Sequence, residues 1–355
     1  MNILVVKPSS LGDIIHTFPA VALIRRRYPE AGIYWVASQA FVGIITLFPA
    51  VNGVIVFRRE RLGQLRNCPE ALTFLRELRQ RPYDIAVDFQ GLLRSGLITR
   101  VSGARRRIGF REAREGARLF YSEKVAVPPT VKHAVDRNVF LVRSALGITE
   151  PMSIPDLVSP REAVEAAREL WGRQPFAANG PVLAVAPAAR WPSKTWPPAF
   201  FAEVISRVAR EIEGVRCWLL GTHDERVVAD AVAGACSGLK PVNLAGETAL
   251  ATLVELLRGS GVLLTNDSGP MHLAAALRVP TVALVGPTDP ELTGPYGDRH
   301  AVFRGQCPHS PCRHRRCPLP DRACIANVAA ADVAAAVVQF LRQPAGPDAA
   351  GSGAG

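Results

Sequence analysis

The chain has 355 residues, 48% of them hydrophobic, and a formal net charge of +11. That length is long for one core and suits two α/β domains. No apolar run approaches the roughly 20 residues of a bilayer span, and Asn2 leads into a strand rather than a signal peptide, so a cytoplasmic protein with an anionic partner or surface is expected.

Asn2 to Lys7 has the composition of a buried first strand, followed by Pro8-Ser9-Ser10-Leu11-Gly12-Asp13-Ile14. Gly12 permits close approach of backbone to ligand, although the G-x-G-x-x-G spacing of dinucleotide sites is absent. Asp13 stands at the mouth of the next helix, as a cap or as a proton acceptor for a sugar hydroxyl. Further strands are expected at Ile33–Ala37, Val54–Phe57 and Tyr83–Asp88, with an amphipathic helix from Glu70 to Arg79, the alternation of a parallel sheet. Phe41 to Phe48 is apolar enough to pack as core or to dip into a leaflet, and core is favoured. Arg105, Arg106, Arg107, Arg111, Arg114 and Arg118 form a basic cluster, which alone reads as solvated surface.

From Val125 to Pro160 the rhythm loosens around Pro128, Pro129, Pro151, Pro155 and Pro160, with one helix from about His133 to Leu146. The domains are therefore placed at 1–165 and 166–343, with a disordered Pro/Gly/Ala tail at 344–355. In the second half, strands are expected at Val182–Ala186, Val215–Leu220, Gly261–Thr265 and Thr281–Val285, and helices near Pro198–Glu213, Glu225–Ala235, Leu250–Arg258 and Ala331–Leu341. The run Thr265-Asn-Asp-Ser-Gly-Pro-Met-His272 turns a strand directly into a helix, which aims backbone N–H groups and a positive dipole end at a ligand. The segment by itself suits a helix cap and a ligand site equally; the similar turn at Gly12-Asp13 tips the balance toward a ligand site. Cys307, Cys312, Cys317 and Cys324 crowd one loop with His309 and His314. A reducing compartment disfavours disulfides and the spacing lacks C-x2-C pairs, so no metal is expected, with structural zinc on these four cysteines as the alternative.

Taken together, these motifs resemble the family 9 glycosyltransferases, the bacterial ADP-heptose:lipopolysaccharide heptosyltransferases, from Asn2 to about Leu341. The likeness rests on Lys7-Pro-Ser-Ser-Leu-Gly-Asp13, Asp88-Phe-Gln-Gly-Leu-Leu-Arg94-Ser95, Ala113-Arg-Glu-Gly116, His133-Ala-Val-Asp-Arg137, Lys194-Thr-Trp-Pro197, Asn266-Asp-Ser-Gly269 with His272, and Gly286-Pro-Thr-Asp-Pro290 through Tyr296-Gly297. Asp88-x-Gln-Gly and Ala113-Arg-Glu-Gly are similar to the heptosyltransferase I group, which adds heptose to the inner Kdo sugar of lipid A.

The resemblance implies an α/β protein of GT-B fold, two Rossmann-like doubly wound domains facing a central cleft. The N-terminal domain would bind acceptor and the C-terminal domain nucleotide sugar. It implies inversion without a metal or other cofactor, ADP-heptose as donor, and Kdo-lipid A or lipopolysaccharide core as acceptor. Asp13 would be the general base. Lys194, Asp267, Ser268, Gly269 and His272 would hold the donor, with Asp224, Glu225, Thr248, Ala188 and Ala189 as further contacts. Alanines at 188 and 189 offer no side-chain hydrogen bond where the family often carries hydroxyl residues. Ser9, Ser10, Gly12, Gln90, Arg94, Arg111 and Arg114 would meet the acceptor, whose carboxylates and phosphates suit guanidinium groups. A monomer at the anionic inner face of the inner membrane is expected. Another donor sugar or a later core heptose is the alternative. A nucleic-acid binder would share the charge, but no aromatic interleaving or known reader motif accompanies it; an epimerase would need no acceptor site.

Overall fold

The computed structural model describes residues 1–58, 68–154, 156–172, 180–319 and 323–343. The tail at 344–355 and Pro155 therefore lie outside the described residues. Two compact units result, Met1–Val158 and Ser159 onward. The boundary precedes the expected 165/166, which would cut through the helix Arg161–Gly172. That helix buries Ala163, Ala167 and Leu170 within the second unit.

The first unit holds strands β1 (Asn2–Val6), β2 (Gly32–Ala37), β3 (Gly53–Val56), β4 (Ile85–Asp88), β5 (Arg106–Phe110) and β6 (Glu123–Val125), in the order β3-β2-β1-β4-β5-β6. The second holds β7 (Val182–Ala186), β8 (Arg216–Leu219), β9 (Val242–Asn243), β10 (Val262–Asn266), β11 (Thr281–Leu284) and β12 (His300–Phe303), in the order β12-β11-β10-β7-β8-β9. All pairings are parallel. Each unit thus has the doubly wound Rossmann order, and the strand order reverses beside its first strand, between β1 and β4 and between β7 and β10. Helices on both faces explain the unbroken apolar runs: Ile3, Leu4, Val5 and Val6 of β1 and Val262, Leu263 and Leu264 of β10 are fully buried.

Several expected elements shift by one to three residues, as element ends do. Four strands escaped the sequence reading: β5, β6, β9 and β12. β5 was obscured because it begins in the basic cluster. Arg106 pairs with Glu123 at 2.7 Å and donates to Ala145 O, while Arg107 donates to Phe120 O and Ala104 O. These two arginines hold β5 to its neighbours and are not free to meet an acceptor. The Phe41–Phe48 segment is core, with Ile44, Ile45, Leu47 and Phe48 buried. Among the described residues no helix is long and apolar enough to cross a membrane.

One close approach joins β5 to the turn after β4. Gly109 lies against the buried ring of Tyr121, whose hydroxyl donates to Asp88 Oδ2 at 2.6 Å. A methyl group at Gly109 would stand inside that ring. Gly109→Ala is expected to destabilise the fold by about 2 kcal/mol, a fall in Tm of about 5 °C by calorimetry.

Candidate functional site

In a parallel sheet every strand delivers its following loop to the same edge, and ligands collect where the strand order reverses. In the first unit those loops are Lys7–Ser10 after β1 and Phe89–Leu92 after β4. Asp88 builds the second loop: its Oδ1 accepts from the Gln90 and Gly91 N–H groups at 2.8 and 3.1 Å. Burial pushes the Asp88 carboxyl upward, against hydrogen bonds from Tyr121, Ser95 and these N–H groups. Gly91 takes a left-handed φ of 66°, with Ala113 packed beside it.

Between these loops lies a pocket of about 280 Å³, whose lining includes Lys7, Asp13, Gln90, His16, Arg114 and Arg137. Ser10 Oγ and the Ser10 N–H both donate to Asp13 Oδ2, at 2.6 and 3.1 Å, and Lys7 Nζ lies 3.6 Å from Oδ1. Asp13 therefore does cap its helix, yet 45% of its side chain remains exposed, so it also serves the pocket. Desolvation by the surrounding protein opposes ionisation, but Lys7, the two Ser10 donors and His16 outweigh it and hold the carboxyl at about 2. Lys7 is itself fixed: it is buried, its Nζ donates to Phe89 O at 3.2 Å, and its carbonyl accepts from Trp35 Nε1. Gln90 Oε1 is buried with no hydrogen-bond partner among the described residues, an acceptor open to a ligand hydroxyl.

The expected base Asp13 lines this pocket and, of the expected acceptor residues, so do Gln90 and Arg114. Ser10 touches Asp13, Gly12 is buried in the same helix, and Ser9 is half-buried in the loop before it. Arg94 and Arg111 are exposed outside the pocket lining. Lys7, His16 and Arg137 were not singled out beforehand, although Lys7 and Arg137 belong to the motifs that carried the resemblance.

The second unit repeats the plan. The loop after β7 runs from Pro187 into the turn Pro192–Lys194, and the loop after β10 starts the helix Gly269–Ala276. Asn266 ties them together: its Oδ1 accepts from the Trp196 N–H at 3.0 Å and its Nδ2 donates to Pro187 O at 2.7 Å. Trp196 anchors its segment in the core against Phe201. Lys194 Nζ then meets Asp267 Oδ2 at 2.7 Å, Thr288 Oγ donates to the same oxygen, and the Trp191 ring lies under the ammonium at 4.9 Å.

No side chain caps the helix Gly269–Ala276: Ser268 Oγ is 3.2 Å from Thr265 Oγ1, and the Asp267 carboxylate is turned to Lys194 and Thr288. Neither Asp267 nor Ser268 caps the helix by its side chain, and because Pro270 has no N–H and Met271 N donates to Ser268 O at 3.2 Å, what the start of this helix offers an anion is chiefly its positive dipole end. His272 is buried one turn on. Ala188 is buried and Ala189 half-buried in the loop after β7. Asp224 is exposed after β8, whereas Glu225 Oε2 accepts from the Thr222 N–H at 2.8 Å and so serves its own turn. Thr248 is half-buried after β9. All these residues follow the C-terminal ends of strands of one sheet. Thr288, missed earlier, comes from the Gly286–Pro290 motif.

The cysteine-rich loop leans on these same turns. Ser193 Oγ donates to His314 O at 2.7 Å, Arg313 N donates to Pro287 O at 2.8 Å, and Cys324 packs beside Gly286. Burial and the neighbouring thiols Cys307, Cys317 and Cys312 push the Cys324 thiol upward. Among the described residues, no three His, Cys, Asp or Glu side chains are arranged to hold a metal ion.

The glycosyltransferase family 9 (heptosyltransferase) model matches residues 71–322. The chain belongs to glycosyltransferase family 9. It is 34% identical to lipopolysaccharide heptosyltransferase 1 of Pseudomonas aeruginosa over 89% of this chain and 87% of that one. It is 30% identical to lipopolysaccharide heptosyltransferase 2 of Salmonella typhimurium, over 86% of this chain and 88% of the other. The solved Escherichia coli heptosyltransferase WaaC with ADP superposes with a TM-score of 0.77 at 27% identity, covering 96% of this chain and 100% of that one. The protein is accordingly a glycosyltransferase of GT-B fold, built from the two Rossmann units described.

Two consequences of the family 9 site geometry are measurable. Lys7→Met removes the cation that depresses Asp13, so the Asp13 carboxyl is expected to titrate at higher pH by NMR; an unmoved titration would show that Lys7 does not set it. The sign agrees with stability: a depressed carboxylate stabilises the fold above its ordinary range, and that contribution is lost as pH falls towards 2. Lys194→Met leaves the buried Asp267 carboxylate with only neutral donors and is expected to cost about 3 kcal/mol in denaturant unfolding.

Proposed function

We propose that the protein transfers heptose from ADP-L-glycero-D-manno-heptose to the Kdo of lipopolysaccharide inner core, with inversion and without a metal. The observation that carries this reading is Asp13, an ionised, half-exposed carboxylate lining a pocket whose other charged residues include Arg114 and Arg137. A Kdo acceptor supplies both a hydroxyl for the carboxylate and an acid group for the arginines. Likeness to heptosyltransferases in sequence and fold supports the donor class.

In this mechanism the acceptor hydroxyl takes the place of Ser10 Oγ–H on Asp13 Oδ2. The incoming hydroxyl donates to Oδ2 in its turn, which sets the proton to be removed on the carboxylate. Proton transfer runs late, as the new bond to the anomeric carbon makes the hydroxyl acidic; a base so placed contributes roughly 10²–10⁴ in rate. Charge building on the departing diphosphate is met by Lys194, which keeps two of its three N–H donors after pairing with Asp267, and by the start of the helix Gly269–Ala276. Ser268, Gly269 and His272 complete the donor contacts, with Ala188 and Ala189 acting through backbone groups and Asp224 and Thr248 at the nucleoside end. The enzyme works as a monomer on the cytoplasmic face of the inner membrane.

The 30% identity to a type 2 heptosyltransferase favours one second reading, transfer to a heptose already on the core. Acceptor choice separates the two. With ADP-heptose and Kdo-lipid A, ADP release is expected, and Asp13→Ala should reduce it at least about 100-fold while leaving the circular dichroism spectrum unchanged. Release only with heptosyl-Kdo-lipid A would move the protein to the second reading, and release unaffected by the substitution would remove Asp13 as the base.

A further inference from the structure

The pocket in the first unit opens beside an apolar surface that its own chemistry does not use. In the helix Leu93–Val101, residues 93, 96, 97 and 100 share one face by helical spacing. Leu93 and Leu97 on that face are each 42% exposed. The short turn Ala117–Phe120 packs against it at Gly96, where any side chain would collide with Phe120 and the Ala117 backbone. Leu119 on that turn is 77% exposed. Leu93 N also donates to Glu115 Oε2 at 3.2 Å, which fixes the turn beside the helix. Three large aliphatic side chains therefore stand in water on two elements locked together.

Their surroundings are basic. Arg94 and Arg100 are the only charged residues of the helix, and the adjoining segment 111–118 carries Arg111, Arg114 and Arg118 against Glu112 and Glu115. Arg94, Arg100, Arg111 and Arg118 are exposed, unlike Arg106 and Arg107, which are spent within the fold. The patch is also continuous with the pocket: Arg114, which lines it, donates its N–H to Gly91 O at 2.9 Å, and Gly91 is two residues before Leu93. Exposed aliphatics rimmed by arginines match a bilayer surface, where side-chain carbons enter the headgroup boundary and guanidinium groups meet phosphates.

We propose that the face formed by Leu93, Leu97 and Leu119, rimmed by Arg100 and Arg118, docks on an anionic lipid bilayer. Docking there brings the pocket to the height of a sugar attached to a lipid, so the inference deepens the acceptor reading and rests on it for its purpose. It does not rest on it for its test.

The full chain is sedimented with large vesicles of phosphatidylcholine alone or mixed in equal parts with phosphatidylglycerol, without donor or acceptor. The protein is expected to bind the anionic vesicles, less as salt rises. Leu97→Ser/Leu119→Ser and Arg100→Glu/Arg118→Glu should each weaken that binding about tenfold or more, with Tm unchanged because the altered side chains are exposed. Wild-type protein that stays in solution, or variants that bind as it does, would overturn the proposal. So would a dimer in light scattering that the leucine variants dissociate, since the face would then be a protein interface. Because no sugar is present, failure of vesicle binding leaves the transfer reading standing, and failure of transfer leaves the docking result intact.

Discussion

Parallel pairing is the constraint on which the rest depends. A strand paired in parallel with its neighbour must be reached by a crossover, so every chain exit lies at one edge and every entry at the other. The order then reverses once in each sheet, beside β1 and beside β7, and at those two places consecutive loops part to leave a gap. Asp13 and Gln90 stand at the first gap, Lys194 and Asp267 at the second. These residues come from distant parts of the chain, and no helix or turn of its own would bring them together.

Within each gap a lysine faces an aspartate, but the two pairs are built for different work. Asp13 is 45% exposed and 3.6 Å from Lys7, so its charge is held by the pairing while part of its side chain stays open to solvent. Asp267 is 5% exposed, 2.7 Å from Lys194, and takes a further hydroxyl from Thr288. A carboxylate so enclosed is largely shut off from solvent. It holds the lysine instead, and the lysine, with 17% of its side chain exposed, presents the positive charge. The same two residue types thus give a solvent-reached anion in one unit and an oriented cation in the other, and enclosure decides which.

Strand–helix alternation and the two turn motifs were legible in the sequence because buried parallel strands read as unbroken apolar runs and helix starts carry recognisable residues. β5 was not, because its arginines look like surface until Glu123 and the Phe120 and Ala145 carbonyls are seen to take them. β9, with two residues, is too short for any pattern. Asp13 could be named from its turn and from the family resemblance, yet its low pKa could not, since Lys7 reaches it through a backbone path that only the folded β1 loop defines. Thr288 reaches Asp267 from a neighbouring strand's loop, a contact between segments that share no local pattern.

The net charge of +11 illustrates why composition points to a partner without locating it. Arg25 donates to the Pro29, Ala31 and Ala50 carbonyls and to Asn52; Arg226 is tied to Ala245 O and Glu247, and Arg143 to Glu150 O. Such arginines satisfy loop carbonyls that would otherwise lack donors, and their positive charge is incidental to that task. What remains for a partner is the subset left in water beside a functional opening, and around Leu93–Val101 that subset coincides with exposed leucines. Charge with carbonyl partners builds the fold; charge without them, set next to unburied apolar surface, is where an anionic interface is to be sought.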